Sequence, residues 1–175
     1  MNLFDVYPVN DIVIDRAEGS YVWDDSGQKY LDLYGGHAVI SIGHGHTHWK
    51  ERIKNQLDKI AFYSNSVKIP LQEQLAKKLG QVSGKEEYHL FLCNSGAEAN
   101  ENALKLASFH TGRKKVIYFS KAFHGRTSLA VSITDNPSIQ APVNETVCTV
   151  MLPFNDADAL RETMAKKGNE IAAII

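Results

Sequence analysis

The chain has 175 residues, 43% of them hydrophobic and 22% charged, which is ordinary for a soluble globular protein and enough for one domain or one domain plus part of another. Its 19 basic and 20 acidic side chains leave a formal net charge of −1. That balance gives no electrostatic footprint for nucleic acid or an anionic membrane, so any anion the protein binds must be held by local geometry.

In chain order, Met1 to Asn10 lacks the basic region and apolar stretch of a signal peptide, and a cytoplasmic location is expected. Gly19 to Gly27 predicts strand, turn, strand, with Asp24, Asp25, Ser26 and Gly27 as turn formers. Lys29 to Leu33 continues as a short strand, which Gly35 and Gly36 break. Thr47 is placed to cap a helix running to about Tyr63, with Ile53, Leu57 and Ile60 on one face. Pro70 opens a second helix carrying Leu71, Leu75 and Leu79, with Gly80 near its end.

From residue 88 the pattern becomes strand–helix alternation. Tyr88 to Cys93 predicts a short apolar strand, followed by a helix from Gly96 to about Phe109 that Thr111-Gly112-Arg113 closes. Val116 to Phe119 and Val147 to Leu152 predict further strands, Asp156 to about Lys167 a helix, and Ile171 to Ile175 is all apolar. Such alternation predicts an α/β fold with a mostly parallel sheet. Cys93 and Cys148 lie in apolar runs and read as small core residues without a disulfide framework. No apolar run approaches the roughly 20 residues of a membrane helix. Because the sequence stops inside an apparent central strand at Ile175, the chain is expected to be a piece of something longer.

Residues 94–98 can cradle an anion. The first amides of a helix have no internal acceptors, and the helix dipole adds partial positive charge there. Gly96 permits close approach to the backbone, Ala97 does not obstruct it, and Ser95 can donate its hydroxyl. Glu98 would repel a phosphate from the same side and is expected to face away. The same residues fit a capped helix with no ligand, Ser95 being the cap. No Walker Gly-Lys-Ser/Thr and no complete dinucleotide glycine fingerprint is present.

After the strand ending at Phe119, the loop Lys121 to Thr127 is expected at the carboxyl edge of the sheet, where open α/β sheets bind ligands. Phe123 can stack on a heteroaromatic ring, and Arg126 offers a fixed fork for a carboxylate. His124 can polarise those surroundings or fill space. A bland alternative puts Phe123 in the core and Arg126 in a surface salt bridge.

Taken together, Asn94-Ser-Gly-Ala-Glu-Ala-Asn-Glu101 and Ala122-Phe-His-Gly-Arg-Thr127 resemble the class III (subgroup II) aminotransferases. Tyr21-Val-Trp-Asp-Asp-Ser-Gly27, Tyr30-Leu-Asp-Leu-Tyr-Gly-Gly-His-Ala-Val39 and Ile42-Gly-His-Gly-His46 are similar to upstream segments of that family in the same order. The short N-terminal lead and the Gly35-to-Val39 stretch look most like the branch that acts on N-acetylornithine. One departure is Thr47, where the family usually shows proline, which is expected to alter how the helix begins and not the chemistry.

The resemblance implies a fold-type I architecture: residues 1–45 contribute to the small domain, and residues 46–175 form the first part of the cofactor-binding large domain. It implies pyridoxal 5′-phosphate as cofactor, with Ser95, Gly96 and Ala97 on its phosphate and Phe123 on its ring. Arg126 would bind the α-carboxylate of the amino-acid substrate. Substrates would be an acylated ornithine and 2-oxoglutarate or glutamate, in arginine biosynthesis, and the assembly a homodimer. His37 stands where ornithine aminotransferases have a tyrosine that assists with the carboxylate, which weighs against free ornithine. The Schiff-base lysine, the aspartate on the pyridine nitrogen and a threonine from a partner subunit would follow the last residue here, so no catalytic residue is assigned and the chain alone is expected to be inactive.

Two readings from other classes stand beside this one. His44, His46 and His48 with nearby His37 offer imidazoles to a metal, but no carboxylate or cysteine joins them in a known ligand spacing, and no metal site is assigned. A non-catalytic interaction module is the other. Ornithine- or 4-aminobutyrate-type specificity remains open within the family.

Overall fold

The computed structural model describes residues 1–3, 6, 8–146 and 148–175. They divide into two compact units, Met1–Leu75 and Ala76–Ile175.

In the first unit β1 (Ile14–Glu18), β2 (Tyr21–Asp24) and β3 (Lys29–Leu31) form an antiparallel sheet in that order. Asp24 makes the reversal between β2 and β3. Its Oδ1 accepts from the amides of Ser26 at 3.0 Å and Gln28 at 2.8 Å, the local side-chain turn that aspartate favours. Gly27 follows at φ +84°, where a side chain would be strained. β1 escaped the sequence reading because its charged Asp15, Arg16 and Glu18 hide any alternation. Arg16 instead lies over the Trp23 ring, 3.8 Å from its centroid.

The break at Gly35 and Gly36 is a left-handed turn, α1 (Gly35–Ala38), with φ of 57°, 57°, 59° and 61° in succession. Glycine adopts this freely, whereas His37 and Ala38 each cost roughly 1–2 kcal/mol. Asp32 offsets that cost: its Oδ1 accepts from the amides of Gly35 at 2.7 Å and Tyr34 at 3.1 Å. Its Oδ2 meets His44 Nε2 at 2.7 Å, while the His44 and Gly19 backbones exchange two hydrogen bonds of 2.8 and 3.0 Å. The hydrogen bond from His44, then that from Gly35, holds the Asp32 carboxyl below its usual range.

α2 (Thr47–Leu57) begins one residue after its cap, which is His46 and not Thr47: His46 Nδ1 accepts from the Trp49 amide at 3.4 Å. The helix also ends short of Tyr63. The amides of Lys59 and Ile60 turn back to the Gln56 carbonyl, and the Gln56 side chain donates to the Ile60 carbonyl at 2.9 Å, closing the end locally. α3 (Pro70–Ser83) opens at Pro70 as expected.

The second unit contains α4 (Gly96–Thr111), β4 (Lys115–Phe119), α5 (Ser128–Ser132), β5 (Thr149–Leu152), α6 (Ala157–Lys167) and β6 (Ile171–Ile174). The strands form a parallel sheet in the order β5-β4-β6. Alternation along β4 sends successive side chains to opposite faces. Val116 packs with Leu104 of α4 and Ile133, while Ile117 packs with Leu152, Ile171 and Leu160 of α6. Helices therefore cover both faces, as a parallel sheet requires. Asp156 caps α6, its carboxylate accepting from the Ala159 amide at 2.9 Å, and Gly112 closes α4 at φ 68°.

One expected strand is absent. Tyr88 to Cys93 forms no β-ladder with the described residues, and Leu90, Phe91 and Leu92 are 42%, 66% and 46% exposed. An apolar run becomes a strand only when a neighbour pairs its backbone, and neither edge of the β5-β4-β6 sheet does so. The strand expected over 147–152 is found from Thr149; Val147 lies outside the described residues.

Candidate cofactor site

α4 starts where the sequence indicated. Ser95 is its N-cap, in extended conformation, and its Oγ accepts from the Glu98 amide at 3.2 Å. The Ser95 carbonyl accepts from the Ala99 amide at 3.0 Å. Gly96 and Ala97, the first two residues of the helix, present amides with no acceptor inside it.

Glu98 stands outside the lining of the cavity that Ser95, Gly96 and Ala97 share with Phe123 and Arg126. Its Oε2 accepts from Ser95 Oγ at 2.8 Å and from the Asn94 amide at 3.1 Å. This is a reciprocal cap of Ser-x-x-Glu type, in which the helix satisfies its own start with its own carboxylate. Ser95 can still donate to a phosphate, but only by releasing Glu98, whereas the amides of Gly96 and Ala97 need no such exchange.

The loop after β4 lies against this helix start. Ser95, Gly96, Ala97, Phe123 and Arg126 line one cavity of about 480 Å³, together with Asn100 and His124. A Cβ built on Gly125 (φ +135°) would stand 2.6 Å from Ala97 Cβ, so only glycine permits the approach. Phe123 is 64% exposed, which removes the alternative that it is a core residue. A larger opening of about 960 Å³, lined by Ile60, Phe62 and Leu71 among others, holds none of the candidate site residues.

Burial within this wall lowers the pKa of His124 from its ordinary value of 6.5. Its Nε2 is buried without a hydrogen-bond partner among the described residues, although its backbone is held at both ends. The His124 amide donates to Thr134 Oγ1 at 2.9 Å, and its carbonyl accepts from Asn100 Nδ2 at 2.8 Å.

Sequence reasoning assigned no role to Asn100, Glu101 or Thr134. Asn100 and Glu101 occur in the quoted motif, but on a helix they read as part of a solvated polar face. Their partners are 24 to 29 residues away, and no local pattern carries such a pairing.

The histidine-rich stretch is otherwise engaged: His44 on Asp32, and His46 on the start of α2. Among the described residues no group of three or more His, Cys, Asp or Glu side chains is arranged to hold a metal ion.

A sequence model of the family described as "Aminotransferase class-III" matches residues 5–175. The chain belongs to the class-III aminotransferases. It is 41% identical to the acetylornithine aminotransferase of Archaeoglobus fulgidus over 175 residues, covering 99% of this chain and 45% of that protein. It is 39% identical to the [LysW]-aminoadipate semialdehyde/glutamate semialdehyde transaminase of Sulfolobus acidocaldarius, covering 100% of this chain and 44% of that protein. The chain thus spans less than half the length of these two relatives.

Among solved structures it superposes on the taurine:2-oxoglutarate aminotransferase of Bifidobacterium kashiwanohense in complex with PLP and glutamate. The TM-score is 0.83 at 26% identity, over 96% of this chain and 42% of that one. The architecture is that of fold-type I: a parallel sheet flanked by helices, with a separate antiparallel sheet formed by the N-terminal strands. Pyridoxal 5′-phosphate is the cofactor of this family.

The residues present fit that group. Gly96 and Ala97 at the helix start line the same space as the exposed Phe123 and Arg126, and on that wall the buried His124 Nε2 has no partner among the described residues. A cavity of about 480 Å³ lies in the ordinary range for a small ligand.

Proposed function

We propose that the complete protein transfers the terminal amino group of N-acetylornithine, or a close acylated ornithine, to 2-oxoglutarate in arginine biosynthesis. The observation that carries this reading is that the start of α4, the exposed Phe123 and Arg126 line one cavity. Pyridoxal phosphate, when bound, supplies an electron-accepting ring to the carbon that loses its proton.

In this reading the chain's own residues bind and orient. The amides of Gly96 and Ala97, with the Ser95 hydroxyl, hold the phosphate, and Phe123 covers the ring. Arg126 grips the α-carboxylate with paired N–H donors, which fixes the direction in which the substrate enters. The acylated branch is favoured by the 41% identity to an acetylornithine aminotransferase. It is also favoured by His37, whose ring meets Tyr34 edge-on at 4.9 Å in the left-handed turn, where a tyrosine is expected in ornithine-type enzymes.

Residues 1–45 contribute to the small domain and 46–175 to the first part of the large domain in this proposal. The assembly is a homodimer. No lysine lines the cavity, so the 175-residue chain alone is expected to show no turnover.

The test is steady-state kinetics on the complete protein with 2-oxoglutarate as acceptor. The highest kcat/KM is expected for N-acetylornithine, above ornithine and 4-aminobutyrate; a preference for either of those would overturn the assignment. Arg126→Ala should raise the KM for the amino-acid substrate steeply while the cofactor stays bound, and loss of the cofactor would instead move Arg126 to the phosphate. Phe123→Ala should weaken cofactor retention by about 1 kcal/mol.

A second reading has one observation in its favour, the 39% identity to the Sulfolobus semialdehyde transaminase. Faster turnover of a carrier-linked aminoadipate semialdehyde pair than of N-acetylornithine would select it.

A further inference from the structure

The loop that carries Phe123 and Arg126 is tied on one side to the segment after α5, where Asp135 Oδ2 accepts from the Lys121 amide at 2.7 Å and Thr134 Oγ1 from the His124 amide at 2.9 Å. α5, into which it leads, has five residues, and its N-cap Thr127 makes no side-chain capping bond. Its first amides are satisfied from elsewhere. Glu101 Oε1 accepts from Thr127 Oγ1 at 2.8 Å, from the Leu129 amide at 2.7 Å and from the Ala130 amide at 3.0 Å. One carboxylate oxygen on α4 thereby caps a helix 26 to 29 residues downstream. Its neighbour Asn100 donates to the His124 carbonyl at 2.8 Å.

We infer that Glu101, with Asn100 as its second arm, is the positioning residue that sets Phe123 and Arg126 against the phosphate cradle. This rests on the roles proposed above for those two side chains. Each of the two lies one residue from a tether: Phe123 beside His124, and Arg126 beside Thr127. Both tethers start on the helix whose first turn is the cradle, roughly 6–7.5 Å further along its axis. The spacing between phosphate anchor, ring cover and carboxylate fork is therefore tied to α4 itself, in addition to the bonds that Thr134 and Asp135 make to the loop.

A carboxylate suits this task better than a neutral acceptor. It takes three donors on one oxygen, and its negative charge meets the positive end of α5. Gly125, pressed on Ala97, completes the attachment from the loop side.

The test uses Glu101→Ala and Glu101→Gln in the complete protein, with Arg126→Ala as reference and Asn100→Ala as a milder cut. Hydrogen exchange of the cofactor-free protein is the first readout: the amides of Leu129 and Ala130 should exchange much faster in Glu101→Ala, while those of β4 stay protected. The second is kinetic. A misplacement of about 1 Å is worth up to roughly a hundredfold, so Glu101→Ala should raise the amino-acid KM by tens of fold. The affinity for inorganic phosphate at the cradle should change less than about threefold. Glu101→Gln, which keeps one acceptor, should recover part of the KM, and Asn100→Ala should raise it less than Glu101→Ala does.

Unchanged KM in Glu101→Ala, alongside a raised KM in Arg126→Ala, would overturn the positioning role and leave the site reading intact. Unchanged KM in Arg126→Ala would sink the site reading itself. If Glu101→Ala does not fold, Asn100→Ala and Glu101→Gln decide: wild-type KM and exchange in both would overturn the inference.

Discussion

The two units hold their backbones by different means. Among the described residues every fully buried side chain belongs to Ala76–Ile175, where Ile117, Ile133 and Val131 are at most 1% exposed. Met1–Leu75 buries no residue to that degree and relies on short-range polar turns: Asp24 beneath β2–β3, and Asp32 with His44 around α1. Burial holds a fold without regard to direction, whereas a turn fixed by one carboxylate depends on that residue and its protonation. The candidate site belongs to the buried unit yet is finished in the second manner, by Asn100 and Glu101 reaching to a loop. Its elements are placed by packing and its last ångström by hydrogen bonds.

Ile117→Ala, at a fully buried position with a neighbour on either side in the sheet, should cost about 2–5 kcal/mol. Denaturant unfolding followed by near-UV circular dichroism should show the loss. A cost below about 1 kcal/mol would mean that burial is not what secures this unit.

Gly125→Ala should have a smaller effect on stability and a specific one on the site. The added Cβ meets Ala97 at 2.6 Å and the φ of +135° becomes strained, together worth roughly 1–3 kcal/mol. Phosphate affinity at Gly96 and Ala97 should fall with it, measurable by phosphorus NMR titration. Retained affinity would show that the loop does not press on the cradle as described.

The finest distinction is in pH. Burial holds the pKa of His124 below the ordinary 6.5, so the unfolded chain takes up the proton first. Its contribution is complete above about pH 6.5 and is lost as pH falls from there towards the folded value. Asp32 is depressed below 3.8, so its contribution is complete above that value and is lost as pH falls through the lower, folded one. Hydrogen exchange against pH should therefore loosen residues 124–134 before residues 34–44. The reverse order would contradict the assignment of the two turns.

Much of this was legible in the residues themselves. Asp24, Asp25, Ser26 and Gly27 announce a reversal because aspartate folds onto amides two to four residues ahead and glycine accepts positive φ. Ser95-Gly-Ala-Glu98 announces a helix start for the same local reason, and the apolar alternation of Val116 to Phe119 announces a strand with two covered faces. One expected element failed because it depends on a distant partner. Leu90 to Cys93 is as apolar as Ile171 to Ile174, but only the latter finds β4 beside it. A local reading slipped as well: the cap of α2 is His46 and not Thr47.

Sequence by itself determined the order and type of most elements and the turn chemistry, since each follows from contacts within a few positions along the chain, while the five residues put forward for the site rest on the resemblance to the class III aminotransferases. Tertiary structure alone decided that Ser95, Gly96 and Ala97 share a cavity with Phe123 and Arg126, and that Asn100 and Glu101 hold them so. Hydrogen bonds between groups two dozen residues apart leave no periodic trace, because what brings them together is the packing of α4 against the sheet.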